Sequence, residues 1–354
     1  MCRNGVALAV LLLIFTMVVI SNRYFFESNI TANLSPERVR IKAPLSGLHN
    51  KRRCRVGYLI SERTEKRFSF YTLNEVLEYR DGGIDLIKVH VNLSFADQGP
   101  FDVFVHDFTH VARGARDGDR RAELFLADVK DYSSLHPHMV VMNPLASWAL
   151  LYDRLGAQSV AKEVARLLND SDVIVPNRAY LGTSGVENLM KTLEASGVTF
   201  PFVCKSASFA KDDHHRMTLV FGRRGLKGLD LPCSAESFAN HSGILHKLYM
   251  IGEAHFVYGR PSLRNFAMSD DLPNIQFSTS EVARFNSVSP LNAGKHGEPT
   301  SQTRPVSAEK MSRISEMTRR VLGSSLVGID VIVQDGTGKH VIIDMNDFPG
   351  KYDL

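Results

Sequence analysis

The stretch GIDVIVQDGTGKHVIIDMN, residues 328–346, contains two apolar β-branched runs separated by a glycine-containing turn. Such a pattern predicts an antiparallel hairpin. Asp330 and Asp344 then lie near its open end on neighbouring strands, and Asn346 faces the same side as Asp344 because strand side chains alternate. Two carboxylates and an amide oxygen suit a hard cation such as Mg²⁺. We therefore expect a metal site at Asp330, Asp344 and Asn346, with solvated strand-end acids as the alternative.

The composition is that of an ordinary globular protein. The chain has 354 residues, of which 44% are hydrophobic and 23% are charged, enough for two or three lobes around a sizeable core. A formal net charge of +4 is small for this length and does not suggest a nucleic-acid partner. Cys2, Cys54, Cys204 and Cys233 show no metal-ligand spacing, so we expect four unrelated thiols.

The N-terminal residues 1–23 resemble a membrane anchor. Residues 6–20 carry no charge, and with their neighbours they reach about the lower length limit of a spanning helix. A signal peptide is the alternative, but no small-x-small cleavage pattern follows the apolar core, so we expect an uncleaved single-pass anchor. Residues 24–54 form a basic linker with sequons at Asn29 and Asn33, which matter only if the body is luminal.

The rest of the chain alternates between strand and helix patterns, which predicts an α/β fold. Residues 55–145 form a small, largely parallel α/β domain with strands near 56–60, 84–89, 101–105 and 139–142. Residues 146–354 form a second region with helices near 147–155, 158–168 and 185–195 and strands near 202–205, 217–221, 244–251 and 255–258. An amphipathic helix at 308–322 precedes the hairpin, and 267–305 is expected to be an irregular insertion.

A lysine at the end of an apolar strand is the next candidate. Lys205 closes the run FPFVCK, residues 200–205, and an ammonium group there can bind phosphate oxygens, although a lone strand-end lysine is more often solvated. The chain has no G-x-x-x-x-G-K-[ST] loop, no protein-kinase H-R-D set and no G-x-S-x-G elbow. A bound nucleotide must therefore be held by separate lysines and a metal-bearing hairpin.

Seven short motifs occur in order between residues 55 and 350: RVGYxxSE (55–62), QGPxDV (98–103), FPFVCK (200–205), FxNH (238–241), RPSLRNF (260–266), GID (328–330) and DMNDFPG (344–350). In this combination and spacing the chain resembles the inositol 1,3,4-trisphosphate 5/6-kinases, also called inositol-tetrakisphosphate 1-kinases. The resemblance implies an ATP-grasp fold behind an N-terminal α/β domain. It further implies an ATP- and Mg²⁺-dependent kinase that phosphorylates inositol 1,3,4-trisphosphate at the 5 or 6 hydroxyl and inositol 3,4,5,6-tetrakisphosphate at the 1 hydroxyl.

The resemblance also implies a role for individual residues. The implied catalytic pair is Lys205 and Lys247. Contacts to ATP are implied for Lys205, Glu236, Phe238, Lys247, Arg260, Ser262 and Thr279, of which Thr279 stands where the family has a serine. Contacts to the inositol phosphate are implied for His215, Lys247, Asn346 and Gly350. The Mg²⁺ ligands are Asp330, Asp344 and Asn346, the same set that the hairpin pattern suggests.

Departures from the family pattern leave other functions open. Thr64 and Ala149 replace a substrate-binding lysine and an ATP-binding arginine, and the printed chain ends soon after the last motif, which favours a catalytically weakened nucleotide or inositol-phosphate binder. An ATP-grasp carboxylate–amine ligase and a luminal glycosyltransferase, with Asp117-Gly118-Asp119 as its acidic motif, are further alternatives. For the kinase we expect a membrane-anchored monomer with small-molecule partners only, and its substrate favours a cytoplasmic body.

Overall fold

The computed structural model describes residues 53–62, 84–206, 216–283, 287, 289–292 and 305–347. These residues belong to two compact units, Met1–Ala146 and Ser147–Leu354. Each unit has its own sheets and its own apolar core.

The first unit is built on a parallel sheet of four strands in the order β2-β1-β3-β4. Its strands are β1 (Cys54–Leu59), β2 (Ile84–Lys88), β3 (Val103–His106) and β4 (Val140–Met142), and its helices are α1 (Phe95–Gln98), α2 (Thr109–Arg116) and α3 (Arg120–Leu135). A parallel sheet with helical connections confirms the α/β architecture predicted for this region. The sequence also predicts a helix at 72–80, which lies outside the described residues.

The charged segment between α2 and α3 is the start of a helix. The Asp119 carboxylate accepts hydrogen bonds from the backbone N–H groups of Arg121 at 2.9 Å and Ala122 at 3.4 Å, which caps α3. Phe125 and Val129 of that helix are buried. The sequence interpretation missed both helices because their charged residues face water and conceal the apolar stripe. Asp119 therefore has a structural role, which removes the acidic motif that suggested a glycosyltransferase.

The second unit contains two five-stranded sheets, which we call the hairpin sheet (β11-β10-β13-β14-β5) and the lysine sheet (β12-β8-β7-β9-β6). The strands are β5 (Val173–Ile174), β6 (Arg178–Leu181), β7 (Phe202–Ser206), β8 (Arg216–Val220), β9 (Cys233–Ser237), β10 (Ile244–Ile251), β11 (Ala254–Pro261), β12 (Ile275–Ser278), β13 (Leu326–Val333) and β14 (His340–Asp347). The helices are α4 (Leu145–Tyr152), α5 (Arg154–Leu168), α6 (Val186–Ala195), α7 (Thr279–Val282) and α8 (Ala308–Leu322).

Helix α8 confirms the amphipathic helix predicted for 308–322. The Ser307 hydroxyl accepts a hydrogen bond from the Lys310 N–H at 3.2 Å and caps its first turn, and Gly323 ends it with φ +63°. Met311 and Ile314 are fully buried, in one apolar cluster with α5 and the strands of the hairpin sheet. One face of that sheet is thus covered by helices, and the other carries its polar residues.

Two expectations from the sequence are wrong. The stretch 267–305 is not wholly irregular, because β12 lies within it and pairs with β8. Nor are the cysteines all unrelated: Cys204 and Cys233, on the adjacent strands β7 and β9, form a disulfide with 5.7 Å between their Cα atoms. They could not be paired from the sequence, because a sequence separation of 29 residues matches no spacing motif.

No helix among the described residues is long and apolar enough to cross a bilayer. The anchor predicted at residues 1–23 lies outside them.

Candidate active site

The terminal hairpin predicted from the sequence is present, but Asp330 and Asp344 lie in the middle of its strands and not near its open end. A register shift between Asp330 and Val331 sets how the two acids face each other. Strands β13 and β14 pair antiparallel, with Asp330 directly opposite Asp344 and Gly328 opposite Asn346. On its other side β13 pairs with β10, which places Lys247 directly opposite Asp330. Lys247, Asp330 and Asp344 therefore form a row across three neighbouring strands, on the face of the hairpin sheet that the helices leave uncovered.

Asp330 lies between two cations. The Lys247 Nζ is 3.1 Å from its Oδ1, and the Arg260 Nη2 donates a hydrogen bond to its Oδ2 at 3.3 Å. The side chains of Lys247 and Asp330 are only 7% and 9% exposed. Charges this far from water are stable only when they are paired.

Asp344 is ionised by its surroundings. Burial opposes its charge, but Lys205, Arg154, Arg178 and Lys247 together hold the pKa of its carboxyl below the usual value. Its Oδ1 accepts the Met345 N–H at 3.1 Å, and its Oδ2 accepts the Asn346 amide at 3.4 Å. Asp344 and Asn346 thus share one face, as predicted.

A second carboxylate cluster lies on the lysine sheet. Glu236 on β9 is opposite Arg178 on β6 and Val203 on β7, so Lys205, two residues along β7, faces the same side. The Glu236 Oε2 accepts hydrogen bonds from the Lys205 Nζ at 3.1 Å and the Arg178 Nε at 3.1 Å. All three side chains are less than one tenth exposed. The lysine predicted as a phosphate ligand is therefore buried and paired.

Lys205 connects the two sheets. Its Nζ also lies 3.4 Å from the carbonyl oxygen of Ile343, the residue before Asp344 on β14. The ammonium group of the lysine sheet thus reaches the strand that carries two of the candidate metal ligands. The polar faces of the two sheets therefore meet at Lys205.

Known proteins match the chain over this whole region. The model for the inositol 1,3,4-trisphosphate 5/6-kinase ATP-grasp domain matches residues 168–354, and that for the pre-ATP-grasp domain of the same kinases matches residues 55–147. The chain belongs to this family.

Individual relatives agree with the family assignment. The chain is 33% identical to inositol-tetrakisphosphate 1-kinase of Xenopus laevis over 297 residues, which cover 84% of this chain and 74% of that protein. It is 30% identical to inositol-tetrakisphosphate 1-kinase 2 of Oryza sativa subsp. indica, over 83% of this chain and 80% of that protein. Macrocyclase MdnC of Microcystis aeruginosa MRC, solved with precursor peptide MdnA, superposes with a TM-score of 0.51 at 12% identity, covering 84% of this chain and 96% of that one. That likeness concerns the fold alone.

The remaining residues suggested by the family pattern occupy different surroundings. Phe238 packs against Phe266 beside the lysine sheet, with ring centroids 5.9 Å apart. The Ser262 hydroxyl lies 2.8 Å from the Nε2 of His241, so it belongs to a protein hydrogen bond. Thr279 begins α7 directly after β12, the edge strand two places from β7. His215 and Gly350 lie outside the described residues, so their roles in this kinase family remain predictions.

Two residues of the site were missed in the sequence. Arg178 shares the carboxylate of Glu236, and its Nη1 donates to the carbonyl oxygen of Arg154 at 2.9 Å. Asp335, in the turn of the hairpin, bonds to three residues that precede or follow β10 and β11. A lone arginine in a short strand and an acid in a turn carry no local signal, because their partners are 58 and about 70 or more residues away.

Proposed function

We propose that this protein is an ATP- and Mg²⁺-dependent kinase that transfers the γ-phosphoryl group of ATP to a hydroxyl of an inositol polyphosphate. The observation that carries the proposal is the row of Lys247, Asp330 and Asp344 across β10, β13 and β14, with Lys205 reaching β14 at Ile343, beside Asp344. Membership of the 5/6-kinase family supports both the fold and the reaction class. Acids that hold a cation, beside lysines that bind phosphate, are what phosphoryl transfer requires.

The hairpin acids fit a Mg²⁺ ion by their chemistry. Asp330 and Asp344 are opposite one another, Asp344 is kept ionised, and Asn346 adds an amide oxygen on the same face. Within the described part of the chain no three His, Cys, Asp or Glu side chains gather as a metal site. A pair of carboxylates with few other protein ligands suits Mg²⁺, which keeps several waters and binds substrate phosphates. When bound, the ion would neutralise charge on the β- and γ-phosphates.

Lys205 and Glu236 would act on the nucleotide. The ammonium group of Lys205 is held by Glu236 and by the Ile343 carbonyl, so its position is fixed before ATP arrives. A fixed positive charge beside the transferring phosphoryl group stabilises the charge that develops there and requires little reorganisation. Residues 238–247, between the lysine sheet and the hairpin sheet, would contact adenine and ribose, with Arg260 near the phosphates.

Lys247 would hold a phosphate of the inositol ring. Its ammonium group is anchored on Asp330, so a ring phosphate bound there lies beside the metal site. His215, Asn346 and Gly350 would complete the contacts to the substrate. A ring hydroxyl would then attack in line with the leaving ADP, and the loose transition state needs little help from a general base.

The test is turnover by the purified chain against a panel of inositol phosphates. We expect ADP release that requires Mg²⁺ together with a product carrying one more phosphate, identified by anion-exchange chromatography and ³¹P NMR. Inositol 1,3,4-trisphosphate and inositol 3,4,5,6-tetrakisphosphate head the panel, and NMR of the product assigns the hydroxyl. ATP binding without turnover on any inositol phosphate would contradict the kinase proposal.

A weakened nucleotide binder is the second candidate, and one observation favours it. Ala149 is exposed on α4 and has no side chain with which to reach a nucleotide, where the family pattern has an arginine. Replacing Ala149 by arginine restores this cation and distinguishes a competent kinase from a weakened binder. Ala149→Arg should change the KM for ATP by less than about threefold if the existing site is competent, but should create turnover if the chain is only a binder.

For the N-terminal segment we propose a single-pass membrane anchor, residues 1–23, with a monomeric kinase body in the cytoplasm. The charge-free stretch 6–20 supports the anchor. The solubility of inositol polyphosphates in the cytoplasm supports a kinase body on the cytoplasmic side of the membrane. Carbonate extraction of membranes tests the anchor. Glycosylation of Asn29 or Asn33 would overturn the cytoplasmic orientation, because those sequons are modified only in the lumen.

A further inference from the structure

A short segment without regular structure joins the two sheets of the second unit. β9 ends at Ser237 and β10 begins at Ile244, and we call residues 238–243 the linker. Lys247 follows it by four residues in β10. Because the linker makes no strand ladder of its own, other contacts must set its backbone conformation.

The turn of the terminal hairpin supplies several of these contacts through one residue. The Asp335 N–H donates to the carbonyl oxygen of Asn240 at 2.8 Å. The Asp335 Oδ2 accepts hydrogen bonds from the Ser242 hydroxyl at 2.7 Å and the Asn265 amide at 2.6 Å. One half-buried carboxylate therefore holds both the linker and the segment after β11.

Asn265, which is held by Asp335, in turn orients the backbone of the linker. Its Oδ1 accepts the N–H groups of His241 at 3.0 Å and Ser242 at 2.8 Å, while its amide is fixed by Asp335. An amide whose oxygen and nitrogen both have partners has only one orientation. Asp335 thereby fixes the acceptor that orients two successive peptide groups of the linker.

The linker needs such restraint because its backbone is strained. Ser242 has φ +52° and is followed by Gly243 with φ +73°. Glycine adopts this left-handed conformation readily, but serine does so only at a cost. The N–H and hydroxyl of Ser242 are bound by Asn265 and Asp335, which offsets that cost.

His241 completes the network. Its Nδ1 lies 2.8 Å from the carbonyl oxygen of Ala239, which only accepts, so Nδ1 carries the proton and Nε2 accepts from the Ser262 hydroxyl. Burial lowers the pKa of His241 and keeps the ring neutral, as this arrangement requires. The Ser262 hydroxyl therefore donates its hydrogen bond to His241 and helps to hold the linker in place.

We propose that Asp335 is a positioning residue for the kinase reaction: it holds the linker in the conformation that receives the nucleotide. The inference rests on the proposed function, in which residues 238–247 contact adenine and ribose. Asp335 lies in the hairpin that also carries Asp330 and Asp344, so the hairpin fixes the nucleotide segment at its turn and the proposed metal ligands in the middle of its strands. One hairpin therefore positions both the linker that receives the nucleotide and the proposed metal ligands.

The first experiment replaces Asp335 by Ala in the full chain and measures KM for ATP, KM for the inositol phosphate, kcat and the Kd of a fluorescent ATP analogue. We expect the KM for ATP and the Kd to rise about tenfold, while kcat and the KM for the inositol phosphate change less than twofold. Thr337→Ala is the matched control. Among the described residues, the Thr337 hydroxyl bonds only to Gln334 and the Lys339 N–H within the same turn, so its loss should not alter ATP affinity.

The second experiment tests whether Asp335 affects ATP binding through the strained backbone at Ser242. If Asp335 acts by holding a left-handed serine, glycine at position 242 makes that hold less necessary, because glycine adopts the conformation at no cost. Asp335→Ala should then raise the KM for ATP by less than about threefold in a Ser242→Gly background. Such non-additivity is the signature of two residues that act together.

Three results would overturn the inference or its basis. Unchanged ATP affinity in a folded Asp335→Ala protein refutes the positioning role. A lowered melting temperature with unchanged Kd in the folded fraction shows that Asp335 stabilises the protein only. Failure of the wild-type chain to bind the ATP analogue refutes the proposed function and the inference with it, whereas binding without turnover refutes the kinase alone and leaves the Kd comparison valid.

Discussion

Glu236 and Asp330 have similar surroundings on different sheets. Each is a buried carboxylate between two cations, Arg178 and Lys205 for the first and Lys247 and Arg260 for the second. The difference lies in what stands next to them. Asp330 faces a second carboxylate, Asp344, across the hairpin, whereas the strand partners of Glu236 are Arg178 and Val203.

That difference decides the chemistry of each cluster. Two adjacent carboxylates repel one another and gain most from a divalent cation, so the hairpin cluster is suited to metal. A single carboxylate between two cations leaves a positive charge, so the Glu236 cluster is suited to an anion such as phosphate. Two similar triads are therefore suited to opposite ligands.

The first prediction tests the metal half of this comparison. Asp344→Asn keeps the shape of the side chain but removes the charge that a cation needs, so Mg²⁺-dependent turnover should fall at least about a hundredfold, roughly 2.7 kcal/mol of transition-state stabilisation. Turnover as a function of Mg²⁺ concentration measures it, with circular dichroism to show that the fold is kept.

Two further variants serve as controls. Asp347→Asn, on the same strand but three residues on and therefore on the opposite face, should keep its Mg²⁺ dependence. Glu236→Gln should also keep the Mg²⁺ requirement, because a single carboxylate between two cations is suited to an anion and not to a metal ion. A wild-type Mg²⁺ profile for Asp344→Asn would contradict the assignment of the hairpin.

The second prediction compares the stability of the two triads. Glu236→Ala leaves two side chains, 7% and 8% exposed, without the carboxylate that they share, and should lower the free energy of unfolding by about 3–5 kcal/mol. Asp330→Ala should cost less, because Arg260 is 22% exposed and can turn to water. Urea denaturation without nucleotide or Mg²⁺ measures both.

The matched control for stability is an exposed ion pair. Glu163 and Arg166 lie three residues apart on α5 and are 43% and 66% exposed. Glu163→Ala should leave the free energy of unfolding close to the wild-type value, because solvent screens an exposed ion pair. Equal losses for Glu236→Ala and Glu163→Ala would show that the buried triad does not depend on its carboxylate.

A third prediction concerns the covalent bond beneath the Glu236 cluster. The Cys204–Cys233 disulfide joins the strands that carry Lys205 and Glu236, on the opposite face of the sheet because neighbours along a strand alternate. It closes a loop with a sequence separation of 29 residues, so the chain-entropy model gives a stabilisation of about 3–4 kcal/mol. Reduction should lower the urea midpoint by the corresponding amount.

The double variant Cys204→Ser/Cys233→Ser should unfold like the reduced protein and should no longer respond to reductant. Cys54, a buried cysteine of the first unit, provides the comparison, since Cys54→Ser should leave the response to reductant intact. Identical unfolding of the wild-type protein in oxidising and reducing buffer would show that the bond does not form in solution.

The hairpin could be predicted from the sequence because its two strands and its turn are adjacent in the chain. Two β-branched runs around a glycine turn specify the pairing next to the turn, but the register shift between Asp330 and Val331 that places Asp330 opposite Asp344 was not predicted. Helix α8 was predictable for the same reason, with a serine cap, an apolar stripe and a terminal glycine all within its own span.

The Glu236 cluster could be predicted only in part. Lys205 stands out at a strand end, but Arg178 and Glu236 are 58 residues apart and meet only because β6 and β9 pair. The same limit hid Asp335, whose partners Ser242 and Asn265 are 93 and 70 residues away. Sequence patterns report what lies within one element, whereas these contacts depend on how elements pack.

The smallest expected effect is on the KM values of two variants, Lys205→Ala in the Glu236 triad and Lys247→Ala in the Asp330 triad. Lys205→Ala should raise the KM for ATP at least about tenfold, roughly 1.4 kcal/mol, because the phosphates lose a fixed cation. Lys247→Ala should instead raise mainly the KM for the inositol phosphate, since that lysine is anchored beside the metal ligands. Steady-state kinetics with each substrate varied in turn measures both constants.

Each lysine variant keeps one cation beside its carboxylate, Arg178 beside Glu236 and Arg260 beside Asp330, so neither leaves a buried acid unpaired. The changes in KM therefore report lost ligand contacts and not unfolding. If both variants raise the same KM, the two triads bind one ligand, and the division into a metal-and-substrate cluster and a nucleotide cluster is wrong. If the effects separate as expected, the acid opposite Asp330 is what distinguishes two otherwise similar sites.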